Sequence, residues 1–200
     1  MSDNVLAAGL DVGFRRTGIA LFRLGVEVDE LIVADTIESD DNKTGTTLQD
    51  DFKACWSLDK RISEFLTVHE ITGLFLEFPH GGGQGARSHR CMGMATGLMV
   101  SLLRRWNIPF EIYSPADVER SLGIFLTNPE AKALGISGKG KLGAFKKERM
   151  QERVNEAFPL FDGWPGTVEL RKDAYDAAAT FLAGRENNSL YAKLKEQVSE

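Results

Sequence analysis

Two hundred residues with a net charge of −5, 42% of them hydrophobic and 26% charged, have the composition of one ordinary globular domain with a sizeable core. The longest strongly apolar stretch, Gly97–Leu103, is too short to span a bilayer, and Met1–Asn4 carry no basic leader, so the expectation is a cytoplasmic chain with no membrane partner. Cys55 and Cys91 lack zinc-motif spacing and read as reduced thiols.

Val5–Val12 is a short, nearly continuous apolar run, as in a strand covered on both faces. After a turn at residues 13–18, Ile19–Arg23 predicts a second strand and the β-rich segment Val26–Ile37 a third, giving an antiparallel meander. Asp40–Gly45 is a polar break. Phe52, Trp56, Leu58, Ile62, Phe65 and Leu66 recur at helical spacing and predict a helix over Thr47–His69. Ile71–Phe78 predicts a fourth strand, followed by a glycine-rich loop, Pro79–Gly85. Arg87–Trp106 steps by three and four through Met94, Leu98, Ser101 or Leu102, and Arg105 or Trp106; Gly93 and Gly97 on this helix leave room for another backbone. Pro109–Tyr113 predicts a fifth strand, and Ser114-Pro115 caps a short helix reaching about Leu122. Five glycines and a proline make Gly123–Gly143 loop-like. Ala144–Phe158 predicts a helix, Phe161–Val168 a linker, Leu170–Gly184 a helix and Tyr191–Glu200 a frayed one. The order βββαβαβαα describes an α/β domain over residues 1–186: a five-stranded mixed sheet, three strands antiparallel then two parallel, with helices on both faces. Residues 187–200 form a tail, helical in part.

Charge is uneven. Residues 81–153 hold twelve Lys and Arg against six Asp and Glu, whereas acids gather at 27–51 and in the tail. A basic face for polyanions and a solvated surface both fit that count.

The carboxylates are more telling. Asp11 and Glu77 each end an otherwise apolar strand, where an unpaired charge is costly to bury. Asp173 and Asp176, three apart on a helix, share a face, and Ala174, Ala177, Ala178 and Ala179 let that helix lie close to a sheet. Taken singly, Asp11 reads equally as a turn residue, Glu77 as a rim or salt-bridge residue, and the pair as a solvated helix face. Together they offer hard oxygen ligands to a cation such as Mg²⁺, and two ions roughly 3.5–4 Å apart would suit in-line attack on a phosphodiester.

Gly9-Leu10-Asp11-Val12-Gly13, followed by Thr17-Gly18-Ile19-Ala20, resembles the first-strand signature of RuvC-type Holliday-junction resolvases, which have an RNase H-like fold. Leu76-Glu77-Phe78 resembles their second-acid strand, Ile108–Pro115 with Val118 their fifth strand and next helix, and Asp173-Ala174-Tyr175-Asp176-Ala177 their closing D-x-x-D-A motif. The blocks keep the family's order over most of residues 5–183. The resemblance implies a homodimeric endonuclease that nicks four-way DNA junctions symmetrically with Mg²⁺ or Mn²⁺, with Asp11, Glu77, Asp173 and Asp176 as metal ligands. It implies a DNA-gripping lysine, matched best by Lys147 or its neighbour Lys146, and a wedge aromatic near the second acid, matched by Phe78 and then His80. The helix at about 87–106 would be the dimer element. Where the family has a lysine after the fifth strand, this chain reads Val118-Glu119-Arg120, leaving Arg120 as the substitute. The longer 123–143 loop and the glycine-rich 79–85 loop also depart from bacterial members, as virus-encoded resolvases do, which would place the chain in a host cytoplasm. Lys139, Lys141, Arg87 and Arg90 on these loops either close over a DNA backbone or lie in solvent.

Three other readings stand beside this one. Asp11-Val12-Gly13 with Thr17-Gly18 also resembles the phosphate loop of actin-like ATPases and sugar kinases, but 200 residues leave no second nucleotide-binding lobe. A broader structure-selective or RNase H-like nuclease would use the same acids. An inactive DNA-binding module would have no physical reason to keep four mutually repelling carboxylates.

Overall fold

Alternation along the first strand sets up the molecule. In β1 (Leu6–Val12), Leu6, Ala8, Leu10 and Val12 face one core, while Ala7 and the preceding Val5 face another. A computed structural model describes residues 5–40, 46–78, 85–187 and 189–199. Its sheet also contains β2 (Arg16–Arg23), β3 (Glu30–Glu38), β4 (Gly73–Glu77) and β5 (Phe110–Tyr113), in the order β3-β2-β1-β4-β5. β1–β2 and β2–β3 pair antiparallel, β1–β4 and β4–β5 parallel, as the sequence leads one to expect for an RNase H-like sheet. One face is covered by α1 (Thr47–His69) and α2 (Ala86–Trp106), through Leu58, Ile62, Leu66, Leu98, Met99 and Leu102. The other is covered by α3 (Pro115–Ser121), α5 (Lys139–Ala157), α6 (Val168–Asn187) and α7 (Ser189–Ser199). A short α4 (Asn128–Ala133) lies between α3 and α5.

Several boundaries differ from the sequence expectation, each for a local reason. β2 starts at Arg16, not Ile19, because the Gly13 N–H donates to the Arg16 carbonyl (3.0 Å) and closes a tight turn that pairs Val12 with Thr17. β3 starts at Glu30, since the β-rich Val26 and Val28 are 67% and 75% exposed in the connection before it. α1 has the expected bounds, and Leu58, Ile62 and Leu66 point inward together with Asp51 and Ala54, whereas Phe52 and Trp56 are exposed. Residues 123–143 are not a continuous loop. The Glu130 carboxylate accepts from both the Thr127 N–H and its hydroxyl (2.7 Å each), which starts α4, and α5 begins at Lys139 despite Gly140 and Gly143. The tail forms α7, with Leu190 and Leu194 buried in the second core. The Pro79–Gly85 loop lies outside the described residues except for Gly85, as does His80.

α6 is the element that positions the site. Ala174, Ala177, Ala178, Ala179 and Ala183 are fully buried along it. Its backbone comes so close to the sheet that a Cβ on Gly9 would sit 2.0 Å from the Ala177 carbonyl oxygen, and one on Gly18 would sit 1.9 Å from that of Asp173. Only glycine leaves that space.

Candidate metal centre

One rung of the ladder crosses the whole sheet. Thr36, Gly18, Asp11, Glu77 and Tyr113 are successive register partners from β3 to β5. Directly paired residues project to the same face, here the face under α6. Asp11 and Glu77 are therefore neighbours on parallel strands. Gly18 admits the α6 backbone beside them, and the Thr36 hydroxyl pins the start of α6 by donating to the Leu170 carbonyl (2.7 Å). Asp173 and Asp176, one helical step apart, then face Asp11, and one carboxylate oxygen from each of the three lies within 4.8 Å of the others. The structure thus brings together Asp11, Asp173 and Asp176, with Glu77 adjoining Asp11.

The electrostatics are those of an anionic cluster short of cations. Burial, reinforced by Asp176 and Asp173, pushes the Asp11 carboxyl up to about 7. Burial followed by Asp11 and Asp176 pushes Glu77 up to about 8. Burial also raises Asp173 and Asp176. Lys147 and Arg16, with Lys172 near Asp173, offset part of the charge. The Lys147 ammonium donates to Asp176; burial works to lower its pKa, but the Asp176, Asp11 and Glu77 carboxylates outweigh that and raise it. Arg16 Nε lies 3.2 Å from Asp173 Oδ2, without the angle of a hydrogen bond. Asp173 Oδ2 and Asp176 Oδ1 are both buried and accept no hydrogen bond. Crowded carboxylates with orphaned, buried oxygens fit a hard divalent cation, which would be held by Asp11, Asp173 and Asp176 with Glu77 alongside.

A pH dependence follows. In the unfolded chain Asp11 and Glu77 lose their protons near their ordinary values of 3.8 and 4.5, whereas the folded chain keeps them to about 7 and about 8. Across that window the folded state binds more protons, so its stability falls as pH rises. The Tm of EDTA-treated protein is expected to be higher at pH 5 than at pH 8. Added Mg²⁺ should restore it at pH 8 and do little at pH 5, where protons already neutralise the acids. Thermal melts at the two pH values, with and without the ion, check this; a Tm indifferent to both would refute it.

Lys147 reaches the acids themselves, while Lys146 donates to Glu119 (2.6 Å). A small cleft of about 160 Å³ lies between Glu77, Glu119, Lys146, Lys147 and Asp176. Arg120 pairs with Asp117 (2.9 Å), and both Arg120 and Lys146 lie over the Phe125 ring, at 4.7 and 5.3 Å. Lys139 and Lys141 are exposed on the first turn of α5. Phe78 is 39% exposed immediately after Glu77, and its N–H donates to the Tyr113 carbonyl (2.7 Å). Arg87 and Arg90 lie on α2 rather than on a loop, and both bind Asp51.

Sequence reasoning missed Arg16, Thr36 and Asp51. For Asp51 there was a signal: stepping back through the buried face from Leu66 to Ile62, Leu58 and Ala54 leads to position 51, an acid on an inward face.

No protein-family model matches the chain, and no curated protein matches it either. Among solved structures, RuvC from Thermus thermophilus in complex with a Holliday junction superposes with a TM-score of 0.63 at 15% identity, covering 95% of this chain and 96% of that one. Another Thermus thermophilus RuvC structure gives 0.59 at 15% identity, covering 92% and 96%. At that identity the likeness establishes a shared fold over nearly the whole length of both chains. Among the described residues, no helix is long and apolar enough to cross a membrane.

Proposed function

We propose that this chain is a metal-dependent endonuclease that cuts phosphodiester bonds in branched DNA, foremost by symmetric nicking of four-way junctions as a homodimer. The observation that carries the reading is the cluster of Asp11, Asp173 and Asp176, with Glu77 beside Asp11, under α6 of a fold shared with a protein solved on a Holliday junction. Mg²⁺, with Mn²⁺ as a substitute and two ions per site, would supply an activated water and charge neutralisation at the scissile phosphate. The chain's own residues do the rest. Asp11 and Glu77 are fixed by the strand register and do not need to be ordered on binding. Arg16 lies against Asp173, and Lys147 balances charge beside Asp176 in the lining of the small cleft.

DNA would be met by Lys139 and Lys141 on α5, by Arg87 and Arg90 on α2, and by Lys146, Lys147 and Arg120, whose present acidic partners would yield to phosphate. Phe78 would act as a wedge between bases at the branch point, a reading supported by its partial exposure next to Glu77.

Two symmetric cuts need two sites, hence a two-fold dimer. Its support is an apolar groove of about 910 Å³ between α1 and α2, near the exposed Phe52 and Trp56. On α2 beside it, Gly93 and Gly97 have open space above them and Val100 is 58% exposed.

Incubating the protein with labelled four-way, flap, linear duplex and RNA–DNA hybrid substrates, with Mg²⁺ or EDTA, tests the reading. The expected result is paired nicks in the four-way junction only, abolished by EDTA. Equal cutting of flaps makes it a general branched-DNA nuclease, cutting of the hybrid an RNase H, and no cutting of any substrate removes the enzyme reading.

A further inference from the structure

Asp51 is an unusual residue to find facing inward from an amphipathic helix. Its side chain is 0% exposed, and an isolated carboxylate there would be very costly. It is satisfied by arginines from two other parts of the chain. Arg87, in the first turn of α2, grips it with both Nη2 (2.9 Å to Oδ1) and Nε (3.3 Å to Oδ2). Arg90, one turn on, adds Nη2 at 2.7 Å to Oδ2. Arg15, in the β1–β2 turn, brings Nη2 to 3.5 Å from Oδ1. These contacts hold the Asp51 carboxyl down at about 2, the Arg87 hydrogen bond contributing most, so Asp51 stays ionised throughout the useful pH range.

The guanidinium groups of Arg87 and Arg90 are not used up by this. The side chains of Arg87 and Arg90 remain 57% and 37% exposed while they bind Asp51, and Arg15 beside them is 32% exposed. Each guanidinium has five donors in a fixed fork, more than one carboxylate can accept. Their position also matters. Arg15 is followed directly by Arg16, which lies against Asp173, so one short turn carries an arginine to the acidic cluster and its neighbour to Asp51. Arg87, in the first turn of α2, shares the Asp51 carboxylate with Arg15, which puts the start of α2 at the end of the sheet where β1 carries Asp11.

We propose that Asp51 is a positioning residue that gathers Arg15, Arg87 and Arg90 into a preformed site for a backbone phosphate of the DNA flanking the cut. This rests on the nuclease reading for its ligand, but not on the metal. The anion is a phosphodiester; the buried carboxylate fixes the donors' direction in advance, so fewer rotamers are frozen when DNA binds. The site lies on the α1 and α2 side of the sheet, at the end of β1 that carries Asp11, and would hold the strand while the acids cut it.

Simple charge counting and the positioning role give opposite signs, which makes the test sharp. Removing an acid from a DNA-binding face adds net positive charge and on that ground alone tightens binding. If Asp51 orients the arginines, Asp51→Asn weakens binding instead. Duplex and four-way junction DNA are titrated in EDTA over a salt series with the wild type, Asp51→Asn, Arg87→Gln/Arg90→Gln and the triple variant. The expected result for Asp51→Asn is on the order of tenfold weaker binding. The logarithmic salt slope should be shallower by roughly one to two, close to the arginine pair, with no further loss in the triple variant. Wild-type or tighter binding by Asp51→Asn, with an unchanged slope, overturns the proposal. Should Asp51→Asn not fold, as circular dichroism would reveal, the arginine pair decides alone: these side chains are 57% and 37% exposed, and wild-type affinity and slope in that variant overturn the site. A wild type that binds duplex through this site but neither prefers nor cuts junctions leaves the phosphate site standing and removes the branched-DNA reading. Junction cutting that ignores the arginine pair does the reverse, and a wild type that binds no DNA removes both.

Discussion

Asp11→Asn is expected to abolish junction cleavage while leaving junction binding largely intact. Asparagine keeps the shape of the side chain in its rung but offers a neutral amide where an anionic oxygen stands among Asp173 and Asp176. Metal-assisted charge stabilisation is worth several kcal/mol at a phosphoryl centre, so losing it costs at least about a thousandfold in rate. Single-turnover cleavage in Mg²⁺ reads the loss, and a gel shift in EDTA reads the binding. The electrostatics supply an internal check. Asp11 is one of several crowded acids, so its neutralisation should raise the Tm of the metal-free protein at pH 8 and shrink the gain from Mg²⁺. A variant that cuts at the wild-type rate would remove Asp11 from the site.

Gly18→Ala is expected to do comparable damage without touching any charged group. The added methyl would meet the Asp173 backbone carbonyl, which cannot swing aside as the end of a flexible side chain can. Overpacking of this sort costs about 3 kcal/mol or more. For a chain of this length the Tm should fall on the order of 10 °C. To accommodate the methyl, α6 must lift at the very residue that carries Asp173, so metal affinity should fall with stability. Gly140→Ala is the control: nothing lies within 4 Å of a Cβ there, so it should be neutral or stabilising by up to about 1 kcal/mol. Chemical denaturation and Mg²⁺ titration of the two variants separate the cases. Equal stabilities would mean that α6 is not seated on Gly18.

The acids were legible in the sequence because their positions were chemically out of place. Asp11 and Glu77 end runs of buried apolar residues, and the i, i+3 spacing of Asp173 and Asp176 sits amid alanines. The place of the first strand was legible for a related reason, since Val5–Val12 is apolar on both faces and so belonged inside the sheet. What escaped was set by local bonding or by tertiary contacts. The glycine count of 123–143 obscured the Thr127–Glu130 pair that starts α4, a signature visible in the sequence itself. At the start of α1, Phe52 and Trp56 took the place of Asp51 and Ala54 in the apolar stripe, because hydrophobicity alone cannot reveal that three arginines will compensate an inward Asp51. The frayed ending expected for the tail took no account of Leu194 packing against Gly73.

The rung has a further consequence for how such a chain can be recognised. Its five members stand at positions 36, 18, 11, 77 and 113, scattered along the sequence and adjacent only across the hydrogen-bonded sheet. A short linear pattern sees unrelated single letters: an acid, a glycine, another acid. Insertions between strands leave the rung untouched, whereas a one-residue slip of any strand turns its member to the opposite face. A distant chain is therefore better judged as a column than as a string: place its strands in register, then ask whether acid, acid and glycine share a line beneath a small-residue helix that brings two more acids.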